Sequence, residues 1–272
     1  MALVLSDLYI YPVKSLGGIR LTEAHISTRG LRHDRRWLIV NERNQFMTQR
    51  QTAAMAHLKV EPAFNGFLLR HNQRPDLLPL FVPFEATPEK TLFVTIWDDM
   101  VFAWRACPDC DEWLSDALGQ PCKLVYMSDM VRRDVEPELN PGNKLVSFAD
   151  GYPYLLVGKN SLAELNTRLV EPVGMERFRP NLVFSGGEAF EEDTWHEFRI
   201  GDAAFRAVRA CGRCIFTTID QKTAQKHPLK EPLRTLASYR THDGSIMFGQ
   251  NVTGPASGLL RLGDTVSVSS YK

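Results

Sequence analysis

Two cysteine pairs share the spacing that lets both sulfurs meet one metal ion or each other: Cys107-Pro-Asp-Cys110 and Cys211-Gly-Arg-Cys214. Cys122 stands alone. An odd count of five in 272 residues argues against a secreted disulfide framework. In a reducing compartment such pairs serve as metal ligands or redox groups more often than as staples. The second pair follows a β-type run, which places it in a loop at a sheet edge. Arg206, Arg209 and Arg213 are close by in sequence. Positive charge favours thiolate, the form that binds soft metals. Two other readings stay open: buried cysteines packing as small hydrophobes, and one zinc site built from both pairs. Against the latter, roughly a hundred residues separate them, where linked zinc pairs are separated by about 15–20.

A second group is cationic. Lys14-Ser15 closes the first β-type run, Asp34-Arg35-Arg36-Trp37 opens another, and Arg177-Phe178-Arg179-Pro180-Asn181 precedes a later one. Strand ends can be aimed at a cavity mouth, where lysine and the bidentate arginine fork suit a phosphate. The alternative is a solvated charged face.

The elements that must position these groups are mostly short strands. The patterning predicts strands at Leu5–Val13, Ile19–Ser27, Arg36–Val40, Leu92–Trp97, Met100–Arg105 and Cys122–Met127. Leu58–Phe64 and Phe67–His71 flank Asn65-Gly66, a hairpin signal. A helix fits Asp109–Leu118. Ser128–Lys144, polar and with two prolines, reads as a linker or mobile loop. Ser161-Leu-Ala-Glu164 reads as a capping box opening a helix to about Leu169. Further strands are expected at Asn181–Phe184, His196–Ile200, Ala203–Arg209, Phe216–Ile219, Ile246–Val252 and Leu259–Val268, with a turn at Gly201-Asp202 and a helix after Glu231-Pro232. The sum is a mainly β chain with a few helices, barrel-like in two halves, divided here as 1–125 and 126–272.

Composition excludes several classes. Hydrophobic residues make up 44% and charged residues 24%, so disorder and low complexity are not its character. With 32 basic and 32 acidic side chains there is no cationic excess for nucleic acid. No apolar run reaches the roughly 18 residues of a membrane helix. Met1–Tyr11 lacks the cationic start and small-residue cleavage site of a signal peptide, so a cytoplasmic location is expected.

Eight segments occur in a specific order: Tyr11-Pro-Val-Lys14-Ser15, Asp34-Arg35-x-Trp37, Ser147-Phe-Ala-Asp150-Gly-Tyr-Pro153, Phe178-Arg-Pro-Asn181, Glu192-Asp-x-Trp195, Cys211-x-Arg-Cys214-x-x-Thr-Thr218, Phe248-Gly-Gln250 and Arg261-Leu-Gly-Asp264. Together they resemble the MOSC family with its N-terminal β-barrel domain, which includes the bacterial YcbX proteins and the mitochondrial amidoxime-reducing components. The resemblance implies a molybdenum–molybdopterin cofactor, with Cys214 as the metal's protein ligand and catalytic residue. It implies cofactor contacts at Lys14, Ser15, Arg35, Gly151, Tyr152, Arg179, Asn181, Gly212, Arg213 and Asn251. Cys211 is set aside as a ligand, because a second thiolate would take a coordination position needed for chemistry. The implied reaction converts N–OH to N–H and water in hydroxylaminopurine-, amidoxime- or hydroxylamine-type substrates.

Electrons are expected from a separate flavoprotein with an iron–sulfur or haem partner. The sequence has neither the ferredoxin cysteine pattern that YcbX carries nor a dinucleotide fingerprint after a strand. Two rivals accompany this reading. One is a sulfur carrier with a persulfide on Cys214, supplied by a pyridoxal-phosphate-dependent cysteine desulfurase. The other is a structural or zinc-binding β-domain. Cys107 and Cys110, absent from the relatives' pattern, are read as incidental, with a dithiol relay as the alternative.

Overall fold

A computed structural model describes residues 2–87, 89–105, 107–135 and 144–272. The chain opens with β1 (Val4–Ile10), β2 (Ile19–Leu21), β3 (Glu23–Ser27), β4 (Gly30–Leu31) and β5 (Trp37–Asn41). A meander of β6 (Leu58–Ala63), β7 (Gly66–His71) and β8 (Leu80–Pro83) precedes the hairpin β9 (Lys90–Ile96) and β10 (Asp99–Arg105). Helix α1 (Pro108–Leu118) leads into β11 (Cys122–Tyr126). Then follow β12 (Tyr154–Gly158), α2 (Lys159–Thr167), β13 (Leu182–Ser185), β14 (Trp195–Ile200) and β15 (Ala203–Gly212). The last elements are α3 (Leu233–Ala237), β16 (Thr241–His242), β17 (Ser245–Thr253), β18 (Gly258–Arg261) and β19 (Val266–Tyr271).

The largest sheet runs β19-β14-β15-β17-β12-β13-β1-β2, with β16 beside β17. It unites strands from both ends of the sequence: β1 pairs antiparallel with β13, and β18 pairs with β3 in a smaller sheet. β12 and β13 are parallel, joined across α2. A four-stranded sheet, β5-β11-β10-β9, and the meander complete the architecture. None of the sheets closes on itself. The two ends of the large one are drawn together where Leu5 N–H donates to Asp264 O (2.8 Å) and Val266 N–H to Leu3 O (2.9 Å).

Burial explains the order. β12 is buried along its whole length, as a central strand covered on both faces must be. With side chains alternating, Tyr154 and Leu156 enter the main core with Phe184, Trp195, Phe198 and Phe205. Leu155 and Val157 face a second core that includes Leu165 of α2 and Leu236 of α3. β14 and β19 alternate buried and exposed residues, because one of their faces meets water.

Several sequence expectations shift. Ile19–Ser27 splits at Thr22, where the chain leaves β1's sheet for that of β18. Leu259–Val268 likewise splits at a turn containing Gly263, whose φ is +90°. Phe216–Ile219 is not a strand: Ile215–Thr218 forms a 3-10 turn, and the Thr217 and Thr218 hydroxyls donate to Cys214 O (3.0 Å) and Ile215 O (2.8 Å). The capping box is absent. α2 starts three residues earlier, and the Ser161 hydroxyl donates to buried Glu192 (2.8 Å), which also accepts from Gly158 N–H (3.0 Å). The hairpin turn is Phe64-Asn65 rather than Asn65-Gly66. Asn65 takes the left-handed conformation, and a Cβ on Gly66 would lie 2.4 Å from Val82 O. Of Ser128–Lys144, residues 136–143 lie outside the described residues. The rest is no loose linker: Ser128, Arg133 and Val135 are buried.

Candidate functional site

One cleft collects Cys214 and all ten expected cofactor contacts. Lys14, Ser15, Arg35, Gly151, Tyr152, Arg179, Asn181, Gly212, Arg213, Cys214 and Asn251 all line it. They converge because the loops that carry them are knitted together. Trp37 N–H donates to Pro12 O (2.9 Å), Lys14 N–H to Trp37 O (2.8 Å), Arg35 N–H to Tyr11 O (2.8 Å) and Phe148 N–H to Arg35 O (2.9 Å). The Tyr11 hydroxyl donates to Pro180 O at 3.0 Å and ties in the segment before β13.

The remaining wall comes from β15, which is not the expected edge loop. It lies between β14 and β17, and two register shifts, at Ala207/Arg209 and Ala210/Gly212, bend it. Bulges of this kind re-aim side chains beside functional sites. Cys211 is in the strand and Cys214 just beyond it. Cys211 Sγ accepts from Arg213 Nη1 at 3.1 Å, so this sulfur is engaged within the protein. Cys214 is exposed, and its sulfur lies 4.0 Å from Arg50 Nη1.

The arginine clustering in sequence around Cys214 is therefore not the clustering in space. Arg206 pairs with Glu197 (3.0 Å), and the Arg209 guanidinium lies over the Tyr152 ring (5.3 Å). The cation beside Cys214 is Arg50, delivered by the loop after β5 and seated on the Trp97 ring, 4.3 Å from its centroid. Sequence reasoning missed it, since nothing around Thr48-Gln49-Arg50 marks it as a site. It also left unused Asp150 and Tyr11, both inside motifs it had singled out.

The electrostatics are unusual for so small a space. The Lys14 ammonium is buried, donates to Phe148 O (2.8 Å) and pairs with Asp150. Desolvation pushes Lys14 down to about 8, only partly offset by Asp150. Burial would raise the Asp150 carboxyl, but Lys14, with Arg50 and Arg35 behind it, holds it well below the ordinary range. The Asp150 side chain is still 71% exposed, open to the cleft mouth.

Arg35 donates to Asp34 (2.5 Å), Asn181 Oδ1 (2.8 Å) and Arg179 O (3.3 Å). Arg35 and Arg179 lie over the same Tyr11 ring, at 4.5 and 4.2 Å. Desolvation and then the neighbouring Arg35 charge push Arg179 down to about 10. Arg133 grips the loop carrying Asp150 through the carbonyls of Ser147 (2.9 Å), Ala149 (2.6 Å) and Asp150 (3.1 Å).

The other cysteine pair is elsewhere. Cys107 caps α1 and Cys110 is buried on its first turn. No group of three or more His, Cys, Asp or Glu side chains converges to hold a metal among the described residues. The joint zinc site is thus not formed there. No described helix is long and apolar enough to cross a membrane.

Comparison with known proteins shows the family. The model of the MOSC N-terminal beta barrel domain matches residues 2–121, and that of the MOSC domain matches residues 143–267. The rat mitochondrial amidoxime reducing component 2 is 34% identical, covering 96% of this chain and 82% of that protein. The human mitochondrial amidoxime-reducing component 1 is 32% identical, covering 96% and 81%. The rice molybdenum cofactor sulfurase is 31% identical over 90% of this chain, which spans only 32% of that longer protein.

Proposed function

Because the chain belongs to the MOSC family and carries that family's N-terminal barrel domain, we propose that it is a molybdenum-cofactor-dependent reductase of N-hydroxylated compounds. The observation that carries this reading is the exposed Cys214 thiol opening into a cleft walled by five cations, Lys14, Arg35, Arg50, Arg179 and Arg213.

The residues fit the cofactor on three counts. A thiolate among cations suits a soft metal bound to an anionic pterin phosphate. Arg213 Nε is buried without a hydrogen-bond partner among the described residues, a donor that a ligand can satisfy. A Cβ on Gly151 would meet nothing within 4 Å, and on Gly212 only Ser245 at 3.7 Å. Neither glycine has a positive φ, so neither backbone conformation nor protein packing calls for glycine there. Close approach of a ligand to the backbone does.

Cys214 would hold the metal, and Lys14, Ser15, Arg35, Arg179, Asn181, Arg213 and Asn251 would hold the pterin and its phosphate. When bound, the cofactor supplies two-electron oxygen-atom chemistry at the N–O bond. The protein's own part is positioning. Arg133 fixes the 147–150 loop, Tyr11 supports the stacked Arg35 and Arg179, and Arg213 engages the sulfur of Cys211, which also lines the cleft. The Lys14 ammonium, opposed by Asp150, holds a proton beside the anion's place. The proposed electron source is a separate flavoprotein with an iron–sulfur or haem partner.

The test is metal and pterin analysis of protein produced in cells with an intact cofactor pathway. About one molybdenum per chain is expected, with loss in Cys214→Ser and retention in Cys211→Ser. Absent molybdenum would overturn the reading, and equal loss in both variants would overturn the choice of ligand. The exposure of Cys214 and the likeness to a cofactor sulfurase favour one second reading, a sulfur carrier with a persulfide on Cys214. A sulfur-loaded, molybdenum-free protein would establish it.

A further inference from the structure

The Cys107–Cys110 pair lies outside the cleft and has no part in the function proposed above. Its geometry is specific. Cys107 is the N-cap of α1, with extended backbone (φ −161°, ψ 107°), and Pro108 occupies the first helical position. Cys110 is three residues on, at the position whose backbone N–H an N-cap side chain receives. That donor reaches Cys107 Sγ at 3.2 Å. A sulfur thus stands where serine or aspartate normally caps a helix, directed at the first turn and therefore at its own partner.

The two sulfurs differ in access. Cys107 is partly exposed, while Cys110 is 2% exposed and packed in the main core. From this arrangement we infer that Cys107 and Cys110 form a reversible intrachain disulfide, with Cys107 the entry sulfur and Cys110 the resolving one.

The chemistry follows from that asymmetry. The Cys107 thiolate attacks one sulfur of a low-molecular-weight disulfide of the glutathione type. A mixed disulfide forms and one thiolate leaves. Cys110 then gives its proton to solvent and attacks Cys107 Sγ, expelling the second thiolate. The chain loses two electrons and two protons, and the oxidant becomes two thiols. Cys107 makes the first attack because its sulfur is the accessible one of the two. Burial, and after it contact with Cys107, pushes the Cys110 thiol well above its ordinary value, so Cys110 waits as a protonated thiol until the mixed disulfide forms.

Cys122, the other cysteine of this region, is a poor competitor. It is buried, held by Ser115 (3.9 Å to its sulfur), and pushed up to about 11 by burial. A bridge across two intervening residues closes too short a loop to staple the fold, so its use is as a redox state and not as a support.

The test is oxidation of the full chain in a Cys211→Ser, Cys214→Ser background, which removes the other pair. After incubation with glutathione disulfide, intact mass and peptide mapping should show a species two hydrogens lighter, linked Cys107 to Cys110, and reversed by a dithiol reductant. Cys110→Ser should stop at a stable glutathione adduct on Cys107, and Cys107→Ser should show no adduct on Cys110. Cys110→Ala serves if the serine variant folds poorly. A native chain that stays fully reduced where the same chain in denaturant oxidises would overturn the inference. So would a link that maps to Cys122. Neither result bears on molybdenum binding at Cys214.

Discussion

Replacing Lys14 by Met should make the ligand-free protein more stable at neutral pH, although it removes a buried ion pair. The reasoning starts from the displacement of the Lys14 ammonium from 10.5 to about 8, caused first by desolvation. Below pH 8 the lysine is charged in both folded and unfolded chains, and the folded one carries the net penalty of desolvation less its attraction to Asp150. At about 1.4 kcal/mol per pH unit, that is roughly 3 kcal/mol. Between pH 8 and 10.5 the folded chain gives up the proton while the unfolded chain keeps it. The unfolded state then binds more protons, so stability rises with pH across this window. Above it the penalty is gone.

Methionine has similar length and no charge. It loses the hydrogen bond to Phe148 O, worth about 1 kcal/mol. Asp150 loses its lysine partner but keeps the Arg50 and Arg35 charges nearby, and its side chain opens to the cleft mouth. The expected net gain is about 2 kcal/mol, a rise of roughly 4–8 °C in Tm. Urea unfolding of wild type and Lys14→Met across pH 7 to 10.5 isolates the lysine, because other titrating groups are common to both chains. A variant less stable at pH 7, or a difference that does not shrink between pH 8 and 10.5, would refute the reasoning. The same variant should bind the anionic cofactor more weakly by about 1.5–3 kcal/mol, ten- to more than a hundredfold.

Other outcomes follow from the same cleft. Gly151→Val should leave unfolding of the ligand-free protein within about 0.5 kcal/mol of wild type, since the added Cβ meets nothing, while cofactor occupancy falls sharply; unchanged occupancy would mean that no ligand approaches there. Arg133→Ala should destabilise by about 3–5 kcal/mol, because three loop carbonyls and Asp99 lose a buried cationic partner, and proteolysis should then cut within 144–152; a loss under 1 kcal/mol would contradict this. The purified chain should be inactive with NADH alone and active with an artificial reductant or an added electron-transfer protein, as the sequence offers no nucleotide fingerprint; NADH-only turnover would disprove it.

The chemistry was more legible in the sequence than its surroundings. Most motif residues converge because they sit near where a strand begins or ends, and pairing of β1 with β13 and β13 with β12 brings distant strand ends together. Strand existence was readable from alternation, and strand breaks were not. Splits at Thr22 and at 262–265 occur where the chain changes sheets, a tertiary event with no local signature beyond Gly263. The register shifts that bend β15 are equally silent. Arg50 lies beside Cys214 while seated on Trp97, a contact between loops that no spacing rule encodes. The capping box failed for a physical reason: Glu192, far along the chain, offers Ser161 a buried carboxylate that outcompetes the helix end.

Strain and charge in the cleft bear on the anionic cofactor proposed for it. Three non-glycine residues on its wall have left-handed backbones: Ser15 (φ 67°), Arg35 (φ 48°) and Arg179 (φ 58°). Each costs on the order of 1–3 kcal/mol, and such conformations persist only where surrounding bonds over-determine them. Here the backbone links among residues 11–15, 34–37 and 147–148 do so. Five cations meet two carboxylates, Asp34 paired with Arg35 and Asp150 with Lys14. Arg50, Arg179 and Arg213 have no carboxylate partner among the described residues. A fold that buries Lys14 and sets Arg179 beside Arg35 is destabilised locally by its own desolvated charge. An anion of two or more charges would offset that charge penalty on binding, while the backbone strain remains. The free energy released then adds to that of the direct contacts, and a cofactor bound in this way should raise Tm with its concentration.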